Sequence, residues 1–370
     1  MRAPVTDVDV AIVGGGVAGA AAALTLRRYT TLSVAIFERT SYDRARTGEQ
    51  ISVEAAPLLD YLGVDEDALL RGHLAGGIPL SAWDATGLRE EPTAFGGAAR
   101  AWFLDRARFD RTLADEARRC GTAFPAAGRI RSATFDRTAR RWELHADGPL
   151  GGERWRARGL VDAGGSGAPI ARRLGTSFVA DDALYAVVGR LRGAAPRLRN
   201  LVVEASPDGW WYAVRVPGDV LVVTFLTDLA TMRRERPAQP DRWGALLART
   251  RHVARLIGEG EPAALETVFV PSRRLAPPAG SAWIAAGDAA MATDPLAGMG
   301  IGFALHSGAC AARALAAELK GDPEPARAYA ERLAATFDTY CAIRRALYGN
   351  VARWRDRPFW LGRGAVVARS

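Results

Sequence analysis

Two apolar spacings alternate along the chain. Unbroken runs mark buried strands at Val10-Ala11-Ile12-Val13, Ser33-Val34-Ala35-Ile36-Phe37 and Trp283-Ile284-Ala285-Ala286. Between the first two, Ala18 to about Tyr29 is almost all alanine and leucine and predicts a helix. Helical spacing returns at Val53 to Leu62, ended by Gly63, and at Asp105 to Cys120, ended by Gly121. It appears again over residues 242–256, and from Gly300 to about Lys320, where Gly321-Asp322-Pro323 stops it. Residues 325–356 predict two amphipathic helices, followed by an aromatic and basic tail. Residues 76–100 predict short strands with turns. Residues 129–161 read as strand, turn and strand, with Arg141 to His145 alternating as in a half-exposed strand. Three more strands run through Leu184–Val188, Trp210–Val214 and Val220–Phe225. Pro217-Gly218-Asp219 is the hairpin turn between the last two.

The first strand runs straight into Gly14-Gly15-Gly16-Val17-Ala18-Gly19, and Glu38 closes the second run. Strand, glycines, helix, strand and acid at this spacing form the fingerprint of a dinucleotide site. Gly14 makes the tight turn, Gly16 lets a pyrophosphate approach the backbone, and Gly19 lets the helix pack close. The helix presents free amides and its positive dipole end to phosphates, and Glu38 is placed to accept from a ribose diol. A second signal runs from Ser281 through Gly287-Asp288 to Asp294-Pro295-Leu296-Ala297-Gly298-Met299-Gly300-Ile301. Asp288, just past a strand end, can accept from a sugar-like hydroxyl. The loop then turns into a helix whose first amides suit an anionic ring such as a reduced isoalloxazine. The plainer reading of this stretch is a glycine-rich turn without a ligand.

Composition narrows the picture. Cys120, Cys310 and Cys341 are scattered and odd in number, which argues for a reducing compartment and against disulfides or structural zinc. The apolar stretch from Val8 to Leu26 is explained by the fingerprint rather than by a signal segment, and no run is long enough to span a membrane. A cytoplasmic protein is expected, without membrane or nucleic-acid partners. The formal net charge is +8 and almost all of it is arginine, because Lys320 is the single lysine. No run of five or six basic residues occurs, so base composition accounts for the surplus better than an acidic partner does. Of the four histidines, His306 lies on the helix that follows the second glycine signal. His73, His145 and His252 show no metal-ligand spacing, so no metal is expected.

Four segments, Gly14–Gly19, Arg106-x-x-Phe109-Asp110, Asp162-Ala163-Gly164-Gly165 and Gly287-Asp288 through Ile301, resemble the FAD-dependent monooxygenases of the hydroxybenzoate-hydroxylase-type fold. That resemblance implies an α/β chain: a Rossmann-type FAD-binding domain with an inserted β-sheet substrate module and a C-terminal helical segment. The FAD domain would take residues 1–75, 101–175 and 271–323, the substrate module 76–100 and 176–270, and the C-terminal helices 324–370. FAD would meet Gly14, Gly16, Ala18, Gly19, Arg39 and Arg46, with the adenosine ribose on Glu38. Arg106 would lie near the ribityl–pyrophosphate, Asp288 at the ribityl chain, and Pro295, Gly298, Met299, Gly300 and Ile301 at the ring. Asp162 would be a further cofactor contact, and it begins a motif that departs from the commoner Asp-Gly form, which in the family serves FAD and NAD(P)H alike. Reduced flavin would come from NAD(P)H directly or through a separate reductase.

A narrower resemblance rests on Gly48-Glu49, Gly209-Trp210-Trp211-Tyr212, Phe225-Leu226-Thr227-Asp228 and the tail from Arg353-Trp354 to Pro358-Phe359-Trp360. Together they look like the branch of tryptophan halogenases and of flavoproteins that oxygenate tryptophan residues during quinone-cofactor maturation. Halogenases of this kind resemble one another in a lysine near the substrate and a Trp-x-Trp-x-Ile-Pro stretch. Here the single lysine is remote, and arginine cannot form a haloamine because it stays protonated. The resemblance therefore implies hydroxylation of an aromatic ring, an indole foremost, through a flavin C4a-hydroperoxide. The substrate would be a small aromatic molecule or a tryptophan in a peptide or protein. A halogenase, a flavin reductase acting on an isoprenoid-type chain and a redox-silent binding protein are the alternatives. Trp210, Trp211, Tyr212 and Phe225 are candidate walls of a flat pocket, although alternate members of such a strand belong to a core. Glu49 and Gln50 are candidate proton-handling residues, a flavin-ring contact, or a cap at the next helix entry.

Overall fold

The computed structural model describes residues 5–91, 101–126, 128–147, 152–195, 197–257, 260 and 262–364. Part of the strand region expected at 76–100, residues 92–100, lies outside these.

The buried runs form the parallel centre of a seven-stranded sheet. Val5–Val13 lies between Val34–Phe37 and Glu153–Asp162, and Trp283–Ala285 pairs on the far side of Glu153–Asp162. Both faces of such a sheet are covered, which is why these strands are apolar without alternation. The alanine-rich helix Val17–Tyr29 and the helix Gly300–Glu318 pack tightly against each other, and most of their small residues are buried. The segment after Gly121 returns as a hairpin, Ile130–Asp136 and Arg141–Ala146, which joins the sheet antiparallel to Glu153–Asp162.

A second sheet has eight strands, in the order Met291–Ala292, Leu265–Ala276, Ser177–Arg192, Val220–Thr227, Gly209–Val216, Val202–Ser206, Leu80–Ala82, Arg89–Glu90. Leu265–Ala276 pairs with Ser177–Arg192 along nearly its whole length, so it runs through the boundary expected at residue 270. Its neighbour Met291–Ala292 comes from the second glycine segment and stitches the two modules together. A third, small sheet pairs Gln50–Ser52 and Leu74–Gly76 with Ala101–Phe103.

Two helical expectations change. Residues 242–256 are not one helix: Pro240–Leu247 ends before Val253–Ile257 begins. The buried Glu204 carboxylate, from the strand Val202–Ser206, accepts from the amides of Arg251, His252 and Val253 and so starts the second helix afresh. Residues 325–356 are one long helix, Glu324–Gly349, and a short turn, Ala352–Trp354, rather than two helices. No glycine or proline interrupts residues 326–348, so nothing breaks the ladder there. This helix reaches both modules, and Arg344 pairs with Asp181 and Asp182 of the second sheet. Among the described residues no helix is long and apolar enough to cross a membrane.

Candidate functional site

The two sheets and the loops between them enclose a cavity of about 980 Å³. At one end it is lined by backbone and small residues. Gly14 leaves the first strand at φ +99°, and a Cβ there would lie 2.3 Å from the Ala163 carbonyl oxygen. A Cβ on Gly19 would lie 1.9 Å from the Gly14 carbonyl oxygen, so Gly19 serves helix–strand packing and does not face the cavity. Gly16 is different. The atom nearest its absent Cβ is Arg46 Nη1 at 3.6 Å, so the space in front of it is kept open toward the cavity rather than filled by the fold. Ala18 lines the cavity beside it.

Glu38 sits at the end of Val34–Phe37. Its Oε2 accepts from the Gly15 amide at 2.8 Å, and Oε1 accepts from the amide and hydroxyl of Thr40 at 2.8 and 2.6 Å. Tyr42, which nothing in its polar loop singled out, donates to the Gly15 carbonyl at 2.8 Å and locks the glycine turn. Two arginines share one buried acid. Arg46 meets Asp110 at 3.3 Å and Arg106 meets it at 3.2 Å, while Arg106 also donates to the carbonyls of Thr47 and Gly48. Arg39 is exposed on the cavity rim.

Opposite these loops, Asp288 follows the strand Trp283–Ala285. Its side chain is exposed to the cavity, and among the described residues no group hydrogen-bonds its carboxylate. The protein packed around the cavity walls pushes this carboxyl up from its ordinary value, the Arg106 guanidinium pulls it partly back, and its exposure to the open cavity moderates the rise. Pro295, Gly298, Met299, Gly300 and Ile301 line the same wall, with Gly298 turning at φ +62° into the helix Gly300–Glu318. The first amides of that helix have no partners within it.

Asp162 does not reach the cavity. It is wholly buried and accepts from the amides of Gly164, Ile170 and Ala171, at 3.1, 2.9 and 2.9 Å, so its carboxylate is spent on the turn that follows the strand. The backbone of Ala163, Gly164 and Gly165 faces the cavity in its place.

The other end is aromatic and apolar. Trp210 and Tyr212 project into it from Gly209–Val216, beside Val203, Val214, Val268 and Val270. Trp211 and Phe225 do not. The alternation of a strand sends them to the opposite face, where they stack at 4.6 Å between centroids and pack on Trp243. They belong to the core and, contrary to expectation, do not wall the pocket.

Trp210 Nε1 donates to Tyr348 Oη at 2.9 Å, Tyr348 donates to Asp294 at 2.6 Å, and the Asp294 amide donates to Tyr340 Oη at 2.8 Å. Tyr340 in turn shares a 2.7 Å hydrogen bond with Ser272. The C-terminal helix thus ties the aromatic wall to the loop before Gly300. Neither tyrosine carries a sequence signal, because each lies in an ordinary amphipathic repeat.

Glu49 is buried where the two ends meet. Its Oε2 accepts from Tyr212 Oη at 3.1 Å, and its Oε1 is buried without a hydrogen-bond partner. Burial pushes the carboxyl up, against the Tyr212 hydrogen bond. Gln50 is half-buried on the cavity wall, its backbone paired with Phe103. Neither residue caps the following helical turn, since Ser52 Oγ does so by accepting from Glu54. His306 is exposed, outside the cavity lining, and lies 3.5 Å from Cys310 Sγ.

An α/β fold whose glycine turn, ribose-side acid and second glycine wall converge on one cavity is that of a flavin-dependent oxidoreductase. The chain belongs to the FAD binding domain family, whose model matches residues 7–352. It is 29% identical over 367 residues to LodB of Marinomonas mediterranea, described as an FAD-dependent oxidoreductase, covering 97% of this chain and 98% of that one. Among solved structures it resembles the flavin-dependent halogenase CmlS, with a TM-score of 0.83, 24% identity, and 99% of this chain against 68% of that chain. It also resembles QhpG, a peptidyl tryptophan dihydroxylase essential for tryptophylquinone cofactor biogenesis. That match has a TM-score of 0.77, 25% identity, and covers 97% and 79% of the two chains. The protein is therefore an FAD-dependent oxidoreductase. Its residues fit the cofactor: the open space before Gly16 and the unpartnered Asp288 carboxylate both face the cavity and are otherwise unexplained.

Proposed function

We propose that this protein hydroxylates an indole ring, that of a tryptophan side chain in a peptide or protein. FAD, when bound, supplies the oxygen-transfer chemistry. Gly14, Gly16 and Ala18 would take the pyrophosphate at the helix terminus, with Arg39 and Arg46 beside it. Glu38 would take the adenosine ribose, Arg106 the ribityl–pyrophosphate region and Asp288 the ribityl hydroxyls. Pro295, Gly298, Met299, Gly300 and Ile301 would hold the ring edge. The observation that carries the reading is the aromatic end of the cavity: Trp210 and Tyr212 wall an apolar space into which the buried Glu49 reaches, while the other buried acid of the lining, Asp294, is held by Tyr348 and the Leu296 amide. Such a chamber binds a flat electron-rich ring and excludes water, which is most of what a flavin oxygenase asks of its protein. Lys320 is exposed at the far end of Gly300–Glu318 and does not line the cavity, which disfavours halogenation. The likeness to QhpG supports a peptide-borne tryptophan.

The test is product mass. The protein is given FAD, a flavin reductase with NADH, O₂ and chloride, together with free tryptophan, simple indoles and tryptophan-containing peptides. One or two added oxygen atoms on the peptide tryptophan are expected. Chlorine in place of hydrogen, or oxygen on a non-indole ring only, would overturn the reading. Omitting the reductase decides whether NAD(P)H is used directly.

A further inference from the structure

Glu49 is held in place from two sides. Its carbonyl oxygen accepts from the Leu104 amide at 2.8 Å, and Arg106 grips the two carbonyls before it. Its side chain crosses to the second sheet, where Tyr212 fixes Oε2. The carboxyl therefore sits against the aromatic wall rather than at the Asp288 wall. That leaves Oε1 buried and unpaired on a side chain that lines the cavity. A buried polar atom left unpaired is costly, and a ligand that satisfies it recovers that cost.

We propose that Glu49 Oε1 is the substrate anchor, accepting the ring N–H of the indole, and that Tyr212 is the positioning residue that aims it. The proposal rests on the indole reading above. An indole has a single polar atom, and that atom only donates, so it needs an acceptor at one point of an otherwise apolar wall. The cavity-lining residues of the second sheet carry no basic side chain, so nothing there would neutralise a ring-borne carboxylate, which Glu49 would repel. Oε1 retains acceptor capacity whether or not the carboxyl is protonated. An incoming N–H favours the ionised form of the carboxyl, as the Tyr212 hydrogen bond already does. Tyr212 from the sheet, and Arg106 and Arg190 at longer range, are the groups that act on its charge.

The experiment titrates FAD-loaded protein with the peptide Gly-Gly-Trp-Gly-Gly and with its N1-methylindole counterpart, reading the flavin absorbance. Wild type should bind the N–H peptide about tenfold more tightly or better. In Glu49→Leu the two peptides should bind within about twofold of each other, and Tyr212→Phe should fall between, with discrimination partly kept. Equal binding of the two peptides by wild type would overturn the anchor while leaving the indole reading intact. Discrimination that survives in Glu49→Leu would overturn it equally. Binding of neither peptide would count against the indole reading itself, and the anchor falls with it. Should Glu49→Leu fail to hold FAD, the wild-type ratio and Tyr212→Phe still decide.

Discussion

The two ends of the cavity are built by opposite means. The nucleotide end comes from a few consecutive residues, mostly glycine, whose backbone does the work, and from one acid a strand away. The aromatic end is assembled from segments far apart in the chain: Glu49, the strand Gly209–Val216, the strand Leu265–Ala276 and a tyrosine at 348. A local motif can be written once in sequence and recognised anywhere. A chamber made by packing shows itself only when the strands are registered and the helices docked.

That difference can be broken first at the glycines. Gly14→Ala meets backbone at 2.3 Å and a left-handed φ, so it should destabilise the fold itself by about 2–6 kcal/mol, overpacking and strain together. Gly16→Val meets open space. Thermal unfolding of the FAD-free protein should be nearly unchanged, while FAD affinity falls on the order of tenfold to hundredfold, measured by fluorescence titration. Equal effects of both on the FAD-free protein would erase the distinction between a packing glycine and an approach glycine.

Neighbouring tryptophans sharpen it next. Trp211 is fully buried against Phe225 and Trp243, and Trp211→Ala should cost about 3–5 kcal/mol in denaturant unfolding, whatever the substrate. Trp210→Phe keeps an aromatic wall and loses the Tyr348 hydrogen bond. It should cost about 1–3 kcal/mol and lower turnover more than Trp211 variants that still fold. Tyr348→Phe strands the same indole N–H and removes the Asp294 contact, for a similar cost of about 1–3 kcal/mol. Because Asp294 begins the loop before Gly300, this variant should also shift the visible spectrum of bound flavin.

These residues also mark how far the sequence could be read. The strand–glycine–helix–acid unit, the Asp288 turn and the helix at 300 were legible because each is a local device with a fixed spacing. The aromatic strand was legible as a strand, but its register was not. Trp210 and Trp211 carry the same cue, and only pairing with Val220–Thr227 and Val202–Ser206 decides which faces the cavity. The Asp162 motif resembles a cofactor contact, whereas here its carboxylate satisfies three amides of its own turn. Leu265–Ala276 escaped notice because a strand carrying Pro271, Arg273 and Arg274 breaks the apolar pattern. Glu204, Tyr340, Ser272 and Tyr348 act across long sequence separations, and no window of neighbours contains their partners.

The smallest expected effect compares the two acids, one at each end. Burial pushes up the carboxyl of Glu49, and the protein around the open cavity pushes up that of Asp288, so each binds its proton more tightly folded than unfolded. Their contribution to stability is then fully present below the unfolded value, near 4.5 for Glu49 and 3.8 for Asp288, and is lost as pH rises through the raised value. Glu49→Gln removes that titration, so the melting temperature of FAD-free wild type should fall relative to the variant as pH rises from 4.5 toward 8. Tyr212→Phe should steepen this fall, because the Tyr212 hydrogen bond opposes the shift. Asp288→Asn should show the same sign but a shallower slope, since water entering the cavity solvates Asp288 while Glu49 stays enclosed. Equal slopes would mean that Glu49 is as well hydrated as Asp288, and that the aromatic end is wetter than its packing implies.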